Sequence, residues 1–180
     1  PWDFRAGDAP DPLTDTLALH AIGTAASLGY LPAETLQVLF ALRDPRAAIT
    51  RLAGFPDLDP ASPQARRAVV IEDWVHDGVP LPGPAAIECF LDWYLENRTA
   101  AGRWTLGGER IRPGTIRLPS LVVAPQHDRL VPNVTAEPLA DALPAATLLR
   151  PGAGHVGMVV GSRAPAALWH PLARWLGERF

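Results

Sequence analysis

The chain has 180 residues, of which 48% are hydrophobic, 16 are basic and 19 are acidic. This hydrophobic content is sufficient for a buried core, and the net charge of -3 argues against nucleic-acid binding, which requires a basic surface. The single cysteine, Cys89, excludes an internal disulfide, and no apolar run approaches the roughly 20 residues of a membrane span, so we expect a cytoplasmic protein.

The first half of the chain has the pattern of short helices separated by proline and glycine. The predicted helices cover residues 13–29, 32–44, 45–55, 64–78 and 85–102. The third helix would begin on Pro45, because proline suits the first helical position.

From residue 104 the pattern changes to strands that alternate with helices. Gly107 and Gly108 predict the tight turn of a hairpin. The order that follows is strand 117–125, helix 133–144, strand 146–152 and helix 162–180. A strand, helix, strand unit gives two parallel strands whose ends open at one edge of the sheet, where ligands bind in α/β folds. The predicted fold class is therefore α/β.

Asp128 and His155 each lie just past the end of one of these two strands. Because both strand ends reach the same edge, we expect the two side chains to be adjacent. A carboxylate that bonds an imidazole fixes its tautomer and stabilises the protonated ring, as in a nucleophilic triad. Asp128 and His155 are therefore the candidate catalytic residues.

The nucleophile of such a triad is absent from the 180 residues. In α/β-hydrolases it precedes the acid and the histidine, on a G-x-[S/C]-x-G turn. Serines 27, 62, 120 and 162 lack the flanking glycines. Cys89 lies in a helical stretch beside Glu88 and Asp92, which would raise its pKa, so we predict an inert, packed thiol.

The segment beginning at Trp74 has the form W-x-x-D-G-x-x-L-P-G, with Asp77 as its acid. We predict that Trp74 and Asp77 contact substrate. The alternative is that this segment only anchors a helix end.

Five segments together resemble a known family. They are "PWDF", "EDWVHDGVPLPGPA", "LDWYLENRTAAGRW", "LPSLVVAPQHDRLVP" and "GAGHVGMVVG". Their order and spacing are similar to the C-terminal half of polyhydroxyalkanoate synthases and their smaller α/β-hydrolase relatives. One departure concerns the acid: synthases place a histidine after it, whereas here His127 precedes Asp128 and Arg129 follows.

The resemblance implies a partial α/β-hydrolase fold with a helical cap insertion. Residues 1–9 would begin the core after its sixth strand, residues 10–103 would be the cap, and residues 104–180 would be the C-terminal core with the acid and the histidine. It also implies acyl transfer from a hydroxyacyl-CoA through a Cys (or Ser)-His-Asp triad, without a cofactor or a metal.

Two other functions remain open, namely an esterase or polyester depolymerase with a serine nucleophile, and a non-catalytic hydrolase-fold partner. The expected partners are an acyl thioester or ester substrate and the missing N-terminal half of the fold, in the same precursor or on another chain. That half would complete the sheet and supply the nucleophile, so this chain alone would be inactive. We also consider a homodimer, and localisation at polyester granules.

Overall fold

The computed structural model describes residues 1–7, 12–43, 49 and 53–179. The chain divides into two compact units. Unit 1 comprises Pro1–Asp15 and Leu91–Phe180, and unit 2 comprises Thr16–Phe90. The helix predicted from Pro45, and the predicted boundary between residues 9 and 10, fall largely outside the described residues. The cap prediction for residues 10–103 stays a prediction.

The described residues of unit 2 are mostly helical and include one pair of very short strands. Its elements are α1 (Pro12–Leu28, whose first turn belongs to unit 1), β1 (Tyr30–Leu31), α2 (Ala33–Arg43), α3 (Pro63–His76), β2 (Leu81–Pro82) and α4 (Gly83–Ile87). Helix α3 begins as its sequence suggests, since Ser62 accepts a hydrogen bond from the amide of Ala65 and Pro63 occupies the first turn. The buried side chains are mostly small: Ala18, Ala21, Ala25, Leu31, Ala33, Ala65, Ala86 and Phe90.

A close backbone approach joins the two strands of unit 2, and the helix predictions did not include it. Strands β1 and β2 pair antiparallel, and the amide of Gly83 donates to the carbonyl of Gly29 at 2.8 Å. A Cβ at position 83 would lie 2.7 Å from that oxygen, which is too close for any side chain. The last glycine of the Trp74 segment is therefore required by packing.

The first element of unit 1 after residue 90 is a widened, π-helical segment. The elements of unit 1 are this π-helical stretch (Glu88–Leu95, beginning in unit 2), β3 (Thr105–Leu106), β4 (Glu109–Arg110), a 3-10 turn (Pro113–Thr115), β5 (Ser120–Val123), α5 (Asn133–Ala136), α6 (Pro138–Ala142), β6 (Ala146–Leu149), α7 (Gly157–Val160), a π-helical turn (Pro165–Trp169) and α8 (His170–Arg179). Strands β3 and β4 form the predicted hairpin, with φ of 58° at Gly107 and 86° at Gly108.

Strands β5 and β6 are parallel, as predicted, with Ser120 opposite Ala146 and Val123 opposite Leu149. Helix α6 packs against both strands. Every residue of β5 and β6 keeps some exposure. The core nearby consists of Ala124, Ala153, Ala164 and Leu168.

Three predicted helices differ from the structure, and two of them differ at proline. The helix predicted over 133–144 is broken before Pro138, which begins α6. The C-terminal helix has a π-helical turn just before Pro171, because proline offers no amide to the preceding turn. The helix predicted over 85–102 ends at Leu95, and Asn97 follows with φ of 48°. Among the described residues, no helix has the length and apolarity needed to cross a membrane.

We predict that Gly83→Ala destabilises the fold by about 1–3 kcal/mol, because its methyl group would press on backbone atoms of residues 29 and 25 that cannot move independently. Urea unfolding followed by circular dichroism measures this change. Gly23→Ala is the matched control, because position 23 lies inside α1, where an added methyl group would meet no other atom within 4 Å. The control should stabilise the chain by about 0.4–1 kcal/mol. Equal unfolding midpoints for the two variants would contradict the packing requirement.

Candidate active site

The parallel ladder continues beyond the two strands and carries their loops side by side. Three more backbone amides donate to carbonyls across the ladder. The amide of Ala124 donates to the carbonyl of Leu149 at 2.9 Å, that of Gln126 to the carbonyl of Pro151 at 2.8 Å, and that of His127 to the carbonyl of Ala153 at 3.0 Å. The loop after β5 and the loop after β6 are thus held in register to the residue before Asp128. This pairing delivers the acid and the histidine to one place.

Asp128 presents a buried carboxylate whose two oxygens have separate partners. Its side chain is only 2% exposed. Oδ1 accepts hydrogen bonds from the amides of Leu130 at 2.9 Å and Val131 at 2.8 Å. Oδ2 lies 2.8 Å from Nδ1 of His155. Because two backbone amides hold Oδ1, the carboxylate cannot rotate freely, and Oδ2 stays directed at the imidazole.

The histidine side chain is partly accessible, in contrast to the buried acid. The His155 side chain is 41% exposed. When Nδ1 of His155 donates this bond to the carboxylate, Nε2 of the neutral ring keeps a lone pair that can accept a proton. The pair can therefore accept a proton at Nε2 from a group outside it.

The serines with hydrogen bonds in the described residues serve local structure. Ser27 donates to the carbonyl of Gly23, Ser120 donates to that of Leu118, and Ser62 caps α3. Cys89 lies in the π-helical stretch, where burial first and the charge of Glu88 second raise the pKa of its thiol to about 11. These side chains do not have the properties of an activated nucleophile.

Trp74 and Asp77, the candidate substrate contacts, lie in unit 2 at the end of α3. The amide of Asp77 closes this helix on the carbonyl of Asp73, and Trp74 is 60% exposed. Both line an open depression together with Asp73 and His76. Contact with substrate stays a prediction for these two residues, and the helix-end alternative also fits their positions.

The acid's neighbours have different environments from the acid itself. His127 and Arg129 are exposed, and His127 takes part in the ladder through its backbone amide.

The amides of Leu130 and Val131 were not predicted as part of the site. A signal existed, because aspartate commonly bonds backbone amides two or three residues later in turns.

Within the part of the chain that the structure describes, no three His, Cys, Asp or Glu side chains are grouped so that they could hold a metal ion.

We predict that Cys89 reacts slowly with iodoacetamide in the folded chain. With a pKa of about 11, only about one thiol in a thousand is ionised at pH 8, so alkylation should be on the order of 100-fold slower than for a free cysteine. Mass spectrometry of timed samples measures the rate. The same reaction in urea is the control and should be fast, whereas equal rates in both conditions would contradict a buried thiol.

Several curated proteins match most of this chain, whereas no family model and no solved structure matches it. The poly(3-hydroxyalkanoate) polymerase subunit PhaC of Haloferax mediterranei is 26% identical over 156 residues, which is 85% of this chain and 32% of the relative. PhaC of Haloarcula marismortui is 27% identical over 156 residues, 85% of this chain and 33% of the relative. PhaC of Allochromatium vinosum is 25% identical over 156 residues, 85% of this chain and 44% of the relative.

The chain thus spans between about a third and less than half of the length of these curated relatives. The matches confirm the resemblance predicted from the five sequence segments, and they support an enzyme at the family level. By its sequence, the chain is similar to polyhydroxyalkanoate synthases over most of its length.

Proposed function

We propose that Asp128 and His155 are the acid and the base of a nucleophilic triad that transfers acyl groups in the manner of a polyhydroxyalkanoate synthase. The observation that carries this proposal is the 2.8 Å contact between Oδ2 of Asp128 and Nδ1 of His155, beyond the ends of two parallel strands. The similarity to PhaC subunits supports the acyl chemistry, because those relatives are named as polymerase subunits for poly(3-hydroxyalkanoate).

In this mechanism the pair removes a proton from the nucleophile. Nε2 of His155 accepts the proton as the nucleophile attacks the acyl carbonyl, and the negative charge of Asp128 stabilises the imidazolium that results. Burial of Asp128 strengthens that interaction, because little water competes for the carboxylate. The imidazolium then returns its proton to the departing thiolate or alkoxide, which leaves an acyl-enzyme.

The nucleophile in this proposal is a cysteine or serine on polypeptide outside the 180 residues. The same polypeptide would add strands to β5 and β6. A sheet of two parallel strands is rare, because parallel strands are normally covered on both faces by helices within a larger sheet. We therefore assign strands β5 and β6 to a partial α/β-hydrolase fold. Residues 10–103 would be its helical cap, and Trp74 and Asp77 would contact substrate.

The acyl-enzyme would pass its acyl group to the hydroxyl of a growing polyester. Transfer to water instead would make the protein an esterase or depolymerase, with the same acid and base. A non-catalytic partner would need neither residue. Activity at cytoplasmic polyester granules, and a homodimer, belong to the polymerase form of the proposal.

We predict that Asp128→Asn lowers acyl turnover by about 10⁴-fold in the complete protein or complex that contains the nucleophile. If the amide oxygen keeps the bonds from Leu130 and Val131, its NH₂ group faces Nδ1 of His155. The ring must then carry its proton on Nε2, and a protonated Nε2 cannot accept the proton of the nucleophile. Release of coenzyme A from a hydroxyacyl-CoA, and the length of the product, are the measurements.

His155→Ala should cause a similar loss because it removes the base. Asp141→Asn and His20→Ala are matched controls, since both side chains are exposed and lie outside the pair. The controls should retain turnover. Unchanged turnover in Asp128→Asn or His155→Ala would exclude the triad and favour the non-catalytic partner, whereas monomeric acid as the product would favour the hydrolase.

A further inference from the structure

Two buried threonines hold the same short segment, residues 2–4, which we call the brace segment. Thr99 and Thr135 are buried polar residues, at 5% and 9% exposure. The hydroxyl of Thr99 donates to the carbonyl of Trp2. The carbonyl of Thr135 accepts the amides of Trp2 at 2.6 Å and Asp3 at 3.0 Å. Thr99 uses its hydroxyl for this contact and Thr135 uses its backbone carbonyl. Since burying either polar group without a partner is costly, these bonds make the position of the segment specific.

Asn97 holds the brace segment from the side of Thr99. Its amide nitrogen donates to Oδ1 of Asp3 at 2.8 Å, and its side-chain oxygen accepts the amide of Phe4 at 3.0 Å. The left-handed backbone at Asn97, with φ of 48°, aims the side chain at this segment and ends the preceding helix. Both polar atoms of the side chain are therefore used on residues 3 and 4.

Aromatic packing adds a second set of contacts to the brace segment. The ring of Phe4 lies 4.6 Å from that of Tyr94 and 6.3 Å from that of Trp93, measured between centroids. The ring of Trp2 lies 6.3 Å from that of Trp104. The segment is thus held by its backbone and by its side chains, as a rigid element should be.

Thr135 links the brace segment to the end of the acid's loop. The carbonyl of Pro132 accepts both the amide of Thr135 at 2.9 Å and its hydroxyl at 2.7 Å. Pro132 directly follows Val131, whose amide bonds Asp128. The ladder that positions the start of this loop ends at His127, so the bonds at Pro132 determine where its other end lies.

We propose that Thr135, held by the brace segment, is a positioning residue for the Asp128–His155 pair. This inference rests on the proposed function, because positioning matters only if the pair accepts a proton. Thr135 fixes the carbonyl of Pro132, Pro132 fixes the amides that hold Oδ1, and Oδ2 is thereby kept on the imidazole. Thr135 itself touches neither reacting atom.

The test observes the pair directly by NMR of the complete protein or complex that contains this chain, with labelled histidine. The Nδ1 proton of His155 should give a resonance protected from solvent, assigned by its loss in His155→Ala. Thr135→Val keeps the shape of the side chain and removes the hydroxyl, so exchange of this proton should become about tenfold faster. Thr135→Ser restores the hydroxyl and should restore the slow exchange.

Thr115→Val is the matched control, because Thr115 also donates its hydroxyl and its amide to the carbonyl three residues earlier, that of Arg112. It should leave the His155 resonance unchanged. Asn97→Gly is the second variant if Thr135→Val does not fold, since glycine tolerates the positive φ and only the bonds to the brace segment are lost. It should also accelerate exchange.

The outcomes separate this inference from the proposed function. A protected resonance that is unaffected by Thr135→Val, or by Asn97→Gly if the first variant is unfolded, overturns the positioning role and leaves the triad intact. A complete wild-type protein or complex without the resonance overturns both. Equal acceleration by Thr115→Val would show a general loss of rigidity and would also overturn the positioning role.

Discussion

The parallel ladder between residues 120–127 and 146–153 is the constraint on which the candidate site depends. Four residue pairs form the strands, and three further backbone bonds carry the pairing into the loops. Parallel strands begin at the same end, so their loops also emerge together, and continued bonding keeps those loops in register. The contact between Asp128 and His155 is a consequence of this pairing, although 27 residues separate them in the chain.

A buried carboxylate needs partners, and here those partners also give it direction. Asp128 is nearly inaccessible, yet two amides and one imidazole nitrogen satisfy its oxygens. The amides come from the acid's own turn, while the end of that turn is held through Pro132 and Thr135. Local and tertiary bonds thus act on the same group, and the orientation of the acid depends on residues far away in the sequence.

The Trp74 segment shows that a distinctive sequence segment can have a packing role. Its final glycine, Gly83, lies against the carbonyl of Gly29, where any side chain would collide with the backbone. Its Asp77 closes α3 through a backbone bond. Glycine and aspartate serve in tight turns as well as in active sites. The resemblance of this segment to the synthases therefore indicates relatives, but it does not by itself assign a substrate contact.

The sequence by itself determined the parallel strand pair, the hairpin at Gly107 and Gly108, and the two candidate catalytic residues, because hydrophobic runs, turn glycines and chain order are local signals. Tertiary structure decided the rest. The pairing of β1 with β2, the helix end at Leu95 and the bonds from residues 97, 99 and 135 to residues 2–4 join positions far apart in the chain. Such contacts depend on which distant groups meet when the chain folds, and no local pattern encodes that choice.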